Sequence, residues 1–156
     1  MNLPRVLIYS DGACSPNPGI GGWGAILISQ PHDVKKEISG AEPESTNNRM
    51  ELTAAMMALR TLKKPCEVTL VTDSEYLKNP FDKGWLEKWT TNGWRTSSRK
   101  PVLNTDLWQE LLALTMDKHH VTWKWVRGHA DDAQNNRCDF LAKRARQQLA
   151  KQLAGD

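Results

Sequence analysis

The chain has 156 residues, of which 39% are hydrophobic and 25% are charged, and its formal net charge is +3. This composition is typical of a soluble globular protein and predicts one domain over residues 1–156. No apolar run is long enough to cross a bilayer, and the opening MNLPRVLIYSDG lacks the apolar segment of a signal peptide. We therefore expect a cytoplasmic protein with no membrane contact.

The opening part of the chain predicts three strands. Residues 5–10 form a buried apolar run, and residues 21–30 and 34–42 form a hairpin around the turn at Pro31–Asp33. The stretch GIGGWG has the glycine content of a dinucleotide-binding loop, but it leads into a strand rather than a helix. That interpretation is therefore rejected.

The remaining elements alternate between helices and strands. Ser45 or Thr46 is expected to cap a helix that ends before Pro65, and residues 66–72 are apolar on both faces, as in an interior parallel strand. In chain order, the later segments are short helices near 74–79 and 82–89, an irregular stretch 91–104, an amphipathic helix 106–118, a strand 121–128 and a closing helix 134–154.

This order predicts an α/β fold with a five-stranded mixed sheet flanked by helices. The opening hairpin is antiparallel, and right-handed crossovers make the first, fourth and fifth strands parallel. Ligands of such sheets lie beyond the carboxyl ends of the parallel strands. Asp11 and Asp73 fall at that edge if the first and fourth strands are neighbours.

Four acidic residues occupy distinctive positions. Asp11 and Asp73 each end an apolar run, and Glu51 and Asp139 lie early in predicted helices. Taken singly, each has the position of an ordinary cap or turn residue. Taken together, they predict a cluster of hard oxygen ligands of the kind that holds Mg²⁺ or Mn²⁺ beside a phosphate.

The basic residues fall into two groups, and a pI near 8.8 permits a polyanionic partner without requiring one. The first group is interleaved with Trp85, Trp89 and Trp94 and suggests nucleic-acid binding. The second spaces around a helix and predicts a solvated face. The groups are Lys78, Lys83, Lys88, Arg95, Arg99 and Lys100, and then Lys143, Arg144, Arg146 and Lys151.

The three cysteines, Cys14, Cys66 and Cys138, show no zinc spacing and predict packed thiols in a reducing compartment.

Several stretches, in this order, resemble type 1 ribonuclease H of bacteria over nearly the full chain. They are DGACSPNPGIGGWGAIL, TNNRMELTAA, TDSEY, GWxxxW followed by GWRT, KPVLNTDLW, WVRGHA and NNRCDFLA. The resemblance implies a monomeric enzyme with a ribonuclease H-like fold. It also implies endonucleolytic hydrolysis of the RNA strand of RNA–DNA hybrids, with 5′-phosphate and 3′-hydroxyl products.

The same resemblance assigns roles to the acids. It implies two Mg²⁺ ions per site, with Mn²⁺ as a substitute, held by Asp11, Glu51, Asp73 and Asp139. Asp11 is the expected bridging ligand, with Glu51 and Asp73 on one ion and Asp139 on the other. His129 corresponds to a mobile histidine that shuttles a proton or assists product release. The other histidines, His32, His119 and His120, have a structural or exposed interpretation.

Further residues are assigned to substrate binding by the resemblance. Asn17, Asn47, Asn48 and the backbone around Cys14 suit the minor groove of the hybrid, although asparagine is also common in turns and caps. Thr46 and Asn104 correspond to a pocket for a DNA-strand phosphate. Trp85 and Trp94 correspond to a protruding handle that holds the DNA strand, whereas Trp89 and Trp108 are expected in the core.

The sequence departs from the familiar pattern at two places. Glu75 stands where bacterial relatives carry Gln, which adds a carboxylate near the expected minor-groove contacts. The handle reads TTNGWRTSSRK where familiar members carry consecutive basic residues. Both changes predict weaker phosphate binding.

The competing interpretations are another nuclease of the superfamily, a hybrid-binding module without activity, and a small-substrate phosphatase. The GHA loop, the four acids and the Trp-bearing segment argue against them in turn.

Overall fold

The structure is a computed structural model, and it describes residues 3–30, 32–127 and 132–155. These residues form five strands, five α-helices and one π-helical turn. The strands are β1 (Arg5–Cys14), β2 (Gly19–Gln30), β3 (Val34–Ser45), β4 (Glu67–Thr72) and β5 (His120–Trp125). The helices are α1 (Asn47–Thr61), α2 (Glu75–Asp82), α3 (Trp85–Asn92), α4 (Thr105–Ala113) and α5 (Ala133–Gly155), and the π-helical turn is Leu114–Lys118.

The five strands form one mixed sheet in the order β3-β2-β1-β4-β5. β1 and β3 are antiparallel to β2, whereas β4 is parallel to both β1 and β5. The predicted fold class and strand directions are confirmed. Because β1 and β4 are direct neighbours, their carboxyl ends meet at one edge of the sheet, as the placement of Asp11 and Asp73 required.

β1 is longer than the predicted strand 5–10, and this changes the position of Asp11. The parallel pairing with β4 ends at Tyr9 opposite Val71, but the antiparallel pairing with β2 continues through Asp11 opposite Gly24. Asp11 therefore lies within the strand rather than at its end. The backbone of Asp11 is paired with β2 on one side. On the side that faces β4 it is not paired, because the pairing of β1 with β4 ends at Tyr9.

The predicted helix 106–118 is also corrected. α4 ends at Ala113, and the chain continues as the π-helical turn, in which the His119 N–H donates to the Leu114 carbonyl at 2.9 Å. The buried His119 ring then accepts a hydrogen bond at Nδ1 from the Cys66 N–H at 3.1 Å. Its Nε2 lies 3.2 Å from the Leu59 carbonyl and donates to it. His119 is thus structural, as predicted, and burial lowers its pKa.

Helices pack on both faces of the sheet. On one face, the largest apolar cluster includes Ile8, Leu59, Leu70 and the fully buried Trp108. On the other face, α5 lies directly on β2: a Cβ atom at Gly22 would stand 2.1 Å from the Ala142 carbonyl oxygen. Only glycine permits this approach, which fixes α5 against the sheet. The three cysteines are free and buried, as predicted. Among the described residues, no helix could span a membrane.

Candidate active site

Three of the predicted acids form a compact cluster at the carboxyl edge of β1 and β4. Asp11, Glu51 and Asp73 each offer a carboxylate oxygen, and these atoms lie within 4.8 Å of one another. Asp11 is buried, with 6% of its surface exposed. The structure therefore brings together side chains from β1, from α1 and from the residue that follows β4.

A glycine positions Glu51 beside Asp11. A Cβ atom at Gly12 would lie 2.5 Å from the Met50 carbonyl carbon and 2.6 Å from the Glu51 nitrogen, so α1 packs directly against β1 at this point. The Gly12 N–H also donates to Asp11 Oδ1 at 2.9 Å. As predicted, Thr46 caps α1: its Oγ1 accepts from the Arg49 N–H at 3.0 Å. The cap and the close contact together fix Glu51 in the cluster.

Asp73 is held between the end of β4 and the start of α2. The fully buried Thr72 accepts a hydrogen bond at Oγ1 from the Ser74 N–H at 3.0 Å. Ser74 in turn caps α2, since its Oγ accepts from the Leu77 N–H at 3.1 Å. Both neighbours of Asp73 are therefore anchored by side-chain hydrogen bonds to the backbone, which restricts where its carboxylate can point.

Crowding of the carboxylates changes their acidity. Burial, together with the negative charge of Asp73, raises the pKa of Asp11 to about 7. Burial and the adjacent Asp11 carboxylate raise the pKa of Glu51 well above its usual value. Without a bound cation, the pair therefore retains protons at a pH where isolated carboxylates have lost them.

The donor set fits a divalent cation. Glu51 Oε2 is buried and has no hydrogen-bond partner among the residues that the structure describes. A buried carboxylate oxygen without a partner is costly unless a ligand satisfies it. Carboxylate oxygens are the donors that hard cations such as Mg²⁺ and Mn²⁺ prefer. The cluster of Asp11, Glu51 and Asp73 is therefore suited to hold a metal ion.

Asp139, the fourth predicted acid, stands apart from this compact cluster. α5 is capped by Asp132, whose Oδ1 accepts from the N–H groups of Gln134 and Asn135 at 2.9 and 3.1 Å. Asp139 lies in the second turn of that helix, and its Oδ2 is 3.0 Å from Lys143 Nζ. It lines the same cleft as the other three acids, and its charge contributes to the raised pKa of Asp11.

The acids open into a cleft of about 700 Å³. Of the predicted substrate-binding residues, Cys14, Asn47, Asn48 and Glu75 line it. Asn47 links two of them, because its Oδ1 accepts from the Cys14 N–H at 2.6 Å. The exposed Asn17 supports this arrangement by accepting from the Asn47 N–H at 3.1 Å. The structure thus gathers the predicted minor-groove residues beside the acids.

The cleft is also lined by two cations that the sequence interpretation placed on a solvated face, Lys143 and Arg146. Lys143 and Arg144 are exposed, as that prediction requires, and the Arg144 guanidinium lies 5.4 Å from the Phe140 ring. The prediction is wrong for Arg146, which is half-buried and has a buried Nε. The signal that could have identified them is their spacing of four and seven residues from Asp139, which places all three on one helical face.

Thr46 and Asn104 are brought together by Arg49, which the sequence interpretation did not single out. Arg49 Nη1 lies 3.4 Å from Asn104 Oδ1, and Arg49 Nη2 lies 2.7 Å from Asp106 Oδ2. Asn104 also donates from Nδ2 to the Tyr76 hydroxyl at 3.0 Å. The arginine therefore ties the first turn of α1 to the first turn of α4 and holds the two predicted phosphate ligands on adjoining elements.

The tryptophans form one aromatic cluster rather than separate core and surface sets. The ring centroid of Trp89 lies 6.3 Å from Trp85, 6.0 Å from Trp94 and 5.8 Å from Trp108. Trp108 is fully buried, which confirms it as a core residue, whereas Trp89 is half-buried and packs against the core. Trp85 is 37% exposed, whereas Trp94 is half-buried and packs on the core. Trp85 thus presents more ring surface to a ligand than Trp94 does.

One predicted catalytic residue, His129, lies outside the described residues. The described chain before it ends at Arg127, and after it resumes at Asp132, next to the start of α5. The role of His129 therefore remains a prediction from the sequence.

A family model described as RNase H matches residues 4–147. Ribonuclease H from Moorella thermoacetica is 55% identical over 150 residues, which cover 96% of this chain and 97% of that one. Ribonuclease H from Symbiobacterium thermophilum is 57% identical over 143 residues, with coverages of 92% and 95%.

Solved structures agree with these matches. LC9-RNase H1, described as a type 1 RNase H with the type 2 active-site motif, has a TM-score of 0.82 and 33% identity and covers 94% of this chain and 74% of its own. LC11-RNase H1 shares the fold, with a TM-score of 0.72 at 21% identity and coverages of 93% and 99%. The family match and the close bacterial relatives give the same answer as the fold and the acidic cleft: the chain belongs to the ribonuclease H family and is an enzyme of that family.

Proposed function

We propose that this protein is an endonuclease that hydrolyses the RNA strand of RNA–DNA hybrids and leaves 5′-phosphate and 3′-hydroxyl ends. The observation that carries the proposal is the compact cluster of Asp11, Glu51 and Asp73, whose ligand atoms lie within 4.8 Å of one another beside a cleft lined with amides and cations. LC11-RNase H1, which shares the fold, was solved in complex with an RNA/DNA hybrid. We further propose that the protein acts as one domain, as a monomer and in the cytoplasm.

The acids would hold two Mg²⁺ ions, with Mn²⁺ as a substitute. When bound, such a pair activates a water molecule and stabilises the leaving 3′ oxygen. Asp11 is the candidate for the ligand shared by the two ions, because it is buried and its pKa is raised by the charges of both Asp73 and Asp139. Glu51 and Asp73 would complete one site and Asp139 the other. Lys143 orients the Asp139 carboxylate through their 3.0 Å ion pair.

The walls of the cleft supply substrate recognition. Asn47, Asn48 and the backbone at Cys14, supported by Asn17, would contact sugars in the wide minor groove of the hybrid, where the 2′-hydroxyl identifies RNA. A DNA-strand phosphate would bind between Thr46 and Asn104, which meet at Arg49. The exposed ring of Trp85, backed by Trp94 through Trp89, would pack against the DNA strand.

Cleavage of matched duplexes tests this function. RNA–DNA, RNA–RNA and DNA–DNA duplexes of one sequence are incubated with the protein in Mg²⁺ and in EDTA, with each strand labelled in turn. We expect cuts within the RNA strand of the hybrid only, in Mg²⁺ only, with products that carry a 5′-phosphate. Cutting of DNA, cutting in EDTA or a 3′-phosphate product would each contradict the proposal.

His129→Ala is expected to slow turnover without changing which duplex is cut. Help from a general acid or base contributes about 10²–10⁴-fold to rate, and a mobile, partly redundant group should fall at or below the low end of that range. The measurement is kcat on one hybrid across a pH series, with His32→Ala in the exposed β2–β3 turn as the matched control. An unchanged kcat at every pH would show that His129 has no part in the reaction.

Glu75→Gln is expected to lower KM for the hybrid, and more at low salt than at high salt. Glu75 is exposed, begins α2 and lines the cleft two residues after Asp73. Its carboxylate repels backbone phosphates by about 1 kcal/mol near a wet surface, and salt screens that repulsion. A glutamine amide also donates hydrogen bonds, which the carboxylate cannot. The effect should lie in KM, because bound and transition states are affected alike.

The matched control for this change is Glu67→Gln. Glu67 begins β4, at the opposite end of the strand from Asp73, and pairs only with the exposed Arg5 at 3.8 Å among the described side chains. The substitution Glu67→Gln removes the same charge far from the cleft, so KM for the hybrid should stay at the parent value. Equal KM values for the parent and Glu75→Gln at both salt concentrations would mean that Glu75 does not face the nucleic acid.

A further inference from the structure

The face of α5 that carries Asp139 also brings two cations into the cleft. Lys143 follows Asp139 by one helical turn and is paired with it, at 3.0 Å between Nζ and Oδ2. Arg146 follows by two turns, which separates it from Asp139 by about 10 Å along the helix axis. The cleft is therefore lined by one cation that is paired with a carboxylate, Lys143, and by a second, Arg146, that lies farther along the helix.

Among the residues that the structure describes, Arg146 lacks the carboxylate partner that Arg49 and Arg137 have. Its Nε is buried without a hydrogen-bond acceptor, and its guanidinium forms no ion pair with any residue that the structure describes. By contrast, Arg49 pairs with Asp106 at 2.7 Å and Arg137 pairs with Glu37 at 2.7 Å. A guanidinium has five donors and no acceptor, so the ligand that fits this position is an anion.

The position of Arg146 is set by the packing of α5 on the sheet. A Cβ atom at Gly22 would lie 2.1 Å from the Ala142 carbonyl oxygen and 2.8 Å from the Arg146 nitrogen. The backbone of Arg146 is therefore pressed against β2 and cannot move without displacing the helix. A side chain that starts from a fixed backbone loses less freedom when it binds a ligand.

We infer that Arg146 binds a phosphate of the RNA strand, at a position other than the one that is cut. The inference rests on the proposed function, because that function places an RNA strand along the wall that begins at Asp139. A guanidinium matches a phosphate group with two parallel N–H···O bonds. Such a contact adds affinity and sets the register of the strand without reading its sequence.

Binding of a fluorescent RNA–DNA hybrid in EDTA, followed by anisotropy over a series of KCl concentrations, tests this role without cleavage. Arg146→Gln should weaken binding about tenfold at low salt, as expected for one charged hydrogen bond. The slope of log K against log[KCl] should fall in magnitude by about 1, since one phosphate contact is lost. Arg146→Met keeps the apolar stem and should behave alike, so the test survives if one variant fails to fold.

Arg144→Gln is the matched control. Arg144 lies on the same helix, loses the same charge on substitution and stacks on Phe140 away from the cleft. It should bind with the affinity and salt slope of the parent. A series of hybrids, each with one neutral methylphosphonate linkage at a different position of the RNA strand, then locates the contact. At one position the neutral linkage should weaken binding by the parent protein but leave the affinity of Arg146→Met unchanged.

The outcomes separate the inference from the proposed function. Parent-like affinity and slope for both Arg146 variants would overturn the inference even if the parent cuts hybrids normally. Equal weakening by Arg144→Gln would overturn it as well, because the effect would then be one of overall charge. Cleavage by the parent in Mg²⁺ reports on the proposed function alone.

Discussion

Asp73→Asn is expected to abolish cleavage of the hybrid while the fold and hybrid binding persist. The amide is nearly isosteric with the carboxylate, but it removes a negative charge from the cluster with Asp11 and Glu51. A hard divalent cation binds carboxylate oxygens much better than amide oxygens, and its charge stabilisation is needed for the reaction. The measurements are the single-turnover rate in Mg²⁺, the affinity for hybrid in EDTA and the thermal unfolding midpoint.

Asp33→Asn is the control for this experiment. Asp33 is exposed in the β2–β3 turn, at the end of the sheet opposite the cleft, and its φ of 53° is one that asparagine adopts readily. The substitution Asp33→Asn makes the same chemical change away from the acidic cluster, so we expect this variant to cleave the hybrid at the parent rate. Cleavage by Asp73→Asn at even a tenth of the parent rate would remove Asp73 from the set of direct metal ligands.

The second large effect is on stability: without metal, the contribution of Asp11 to the stability of the protein should fall as the pH rises from about 4 through 7. Burial and the charge of Asp73 raise the pKa of Asp11 to about 7, whereas the unfolded chain has an aspartate pKa of about 3.9. Between these two pKa values the folded state binds more protons than the unfolded state. The contribution of Asp11 to the free energy of unfolding is therefore fully present at low pH and is lost as the pH rises. Glu51 acts in the same direction.

The comparison of the parent with Asp11→Asn isolates this contribution. In EDTA, the variant should be more stable than the parent at pH 8, by an amount on the order of a few kcal/mol, and the difference should shrink towards pH 4. Urea unfolding at a series of pH values measures it. A pH-independent difference would show that the folded state does not keep Asp11 protonated above the pH at which an isolated aspartate loses its proton.

Mg²⁺ should reverse the order of stability. A ligand that binds only the folded state stabilises it in proportion to its affinity. The parent, with Asp11 intact, should therefore gain stability on addition of Mg²⁺, and Asp11→Asn should gain little. The arrangement of the cluster is the kind of compromise expected at a functional site, where mutual repulsion is retained because the ligand requires it.

The amino-acid sequence by itself determined the order of the strands and of the main helices, and four acids, of which three meet in the compact cluster. Apolar runs that end at Asp11 and Asp73, and helical spacing after Glu51, are local properties that propensity and burial decide. Right-handed crossovers then left few ways to arrange five strands, and the observed neighbours β1 and β4 are among them. The family was identified separately, from the resemblance of the sequence motifs to ribonuclease H, and the family model and the bacterial relatives confirm it.

Only the tertiary structure decided how the helices are turned towards the cleft. Arg144 and Arg146 are equivalent in composition and helix propensity, yet one stacks on Phe140 and the other lines the cleft. The rotation of α5 follows from its close contact with β2 at Gly22, a meeting of residues more than a hundred positions apart in the sequence. The raised pKa of Asp11 has the same origin, because burial and charge proximity arise only when distant segments pack together.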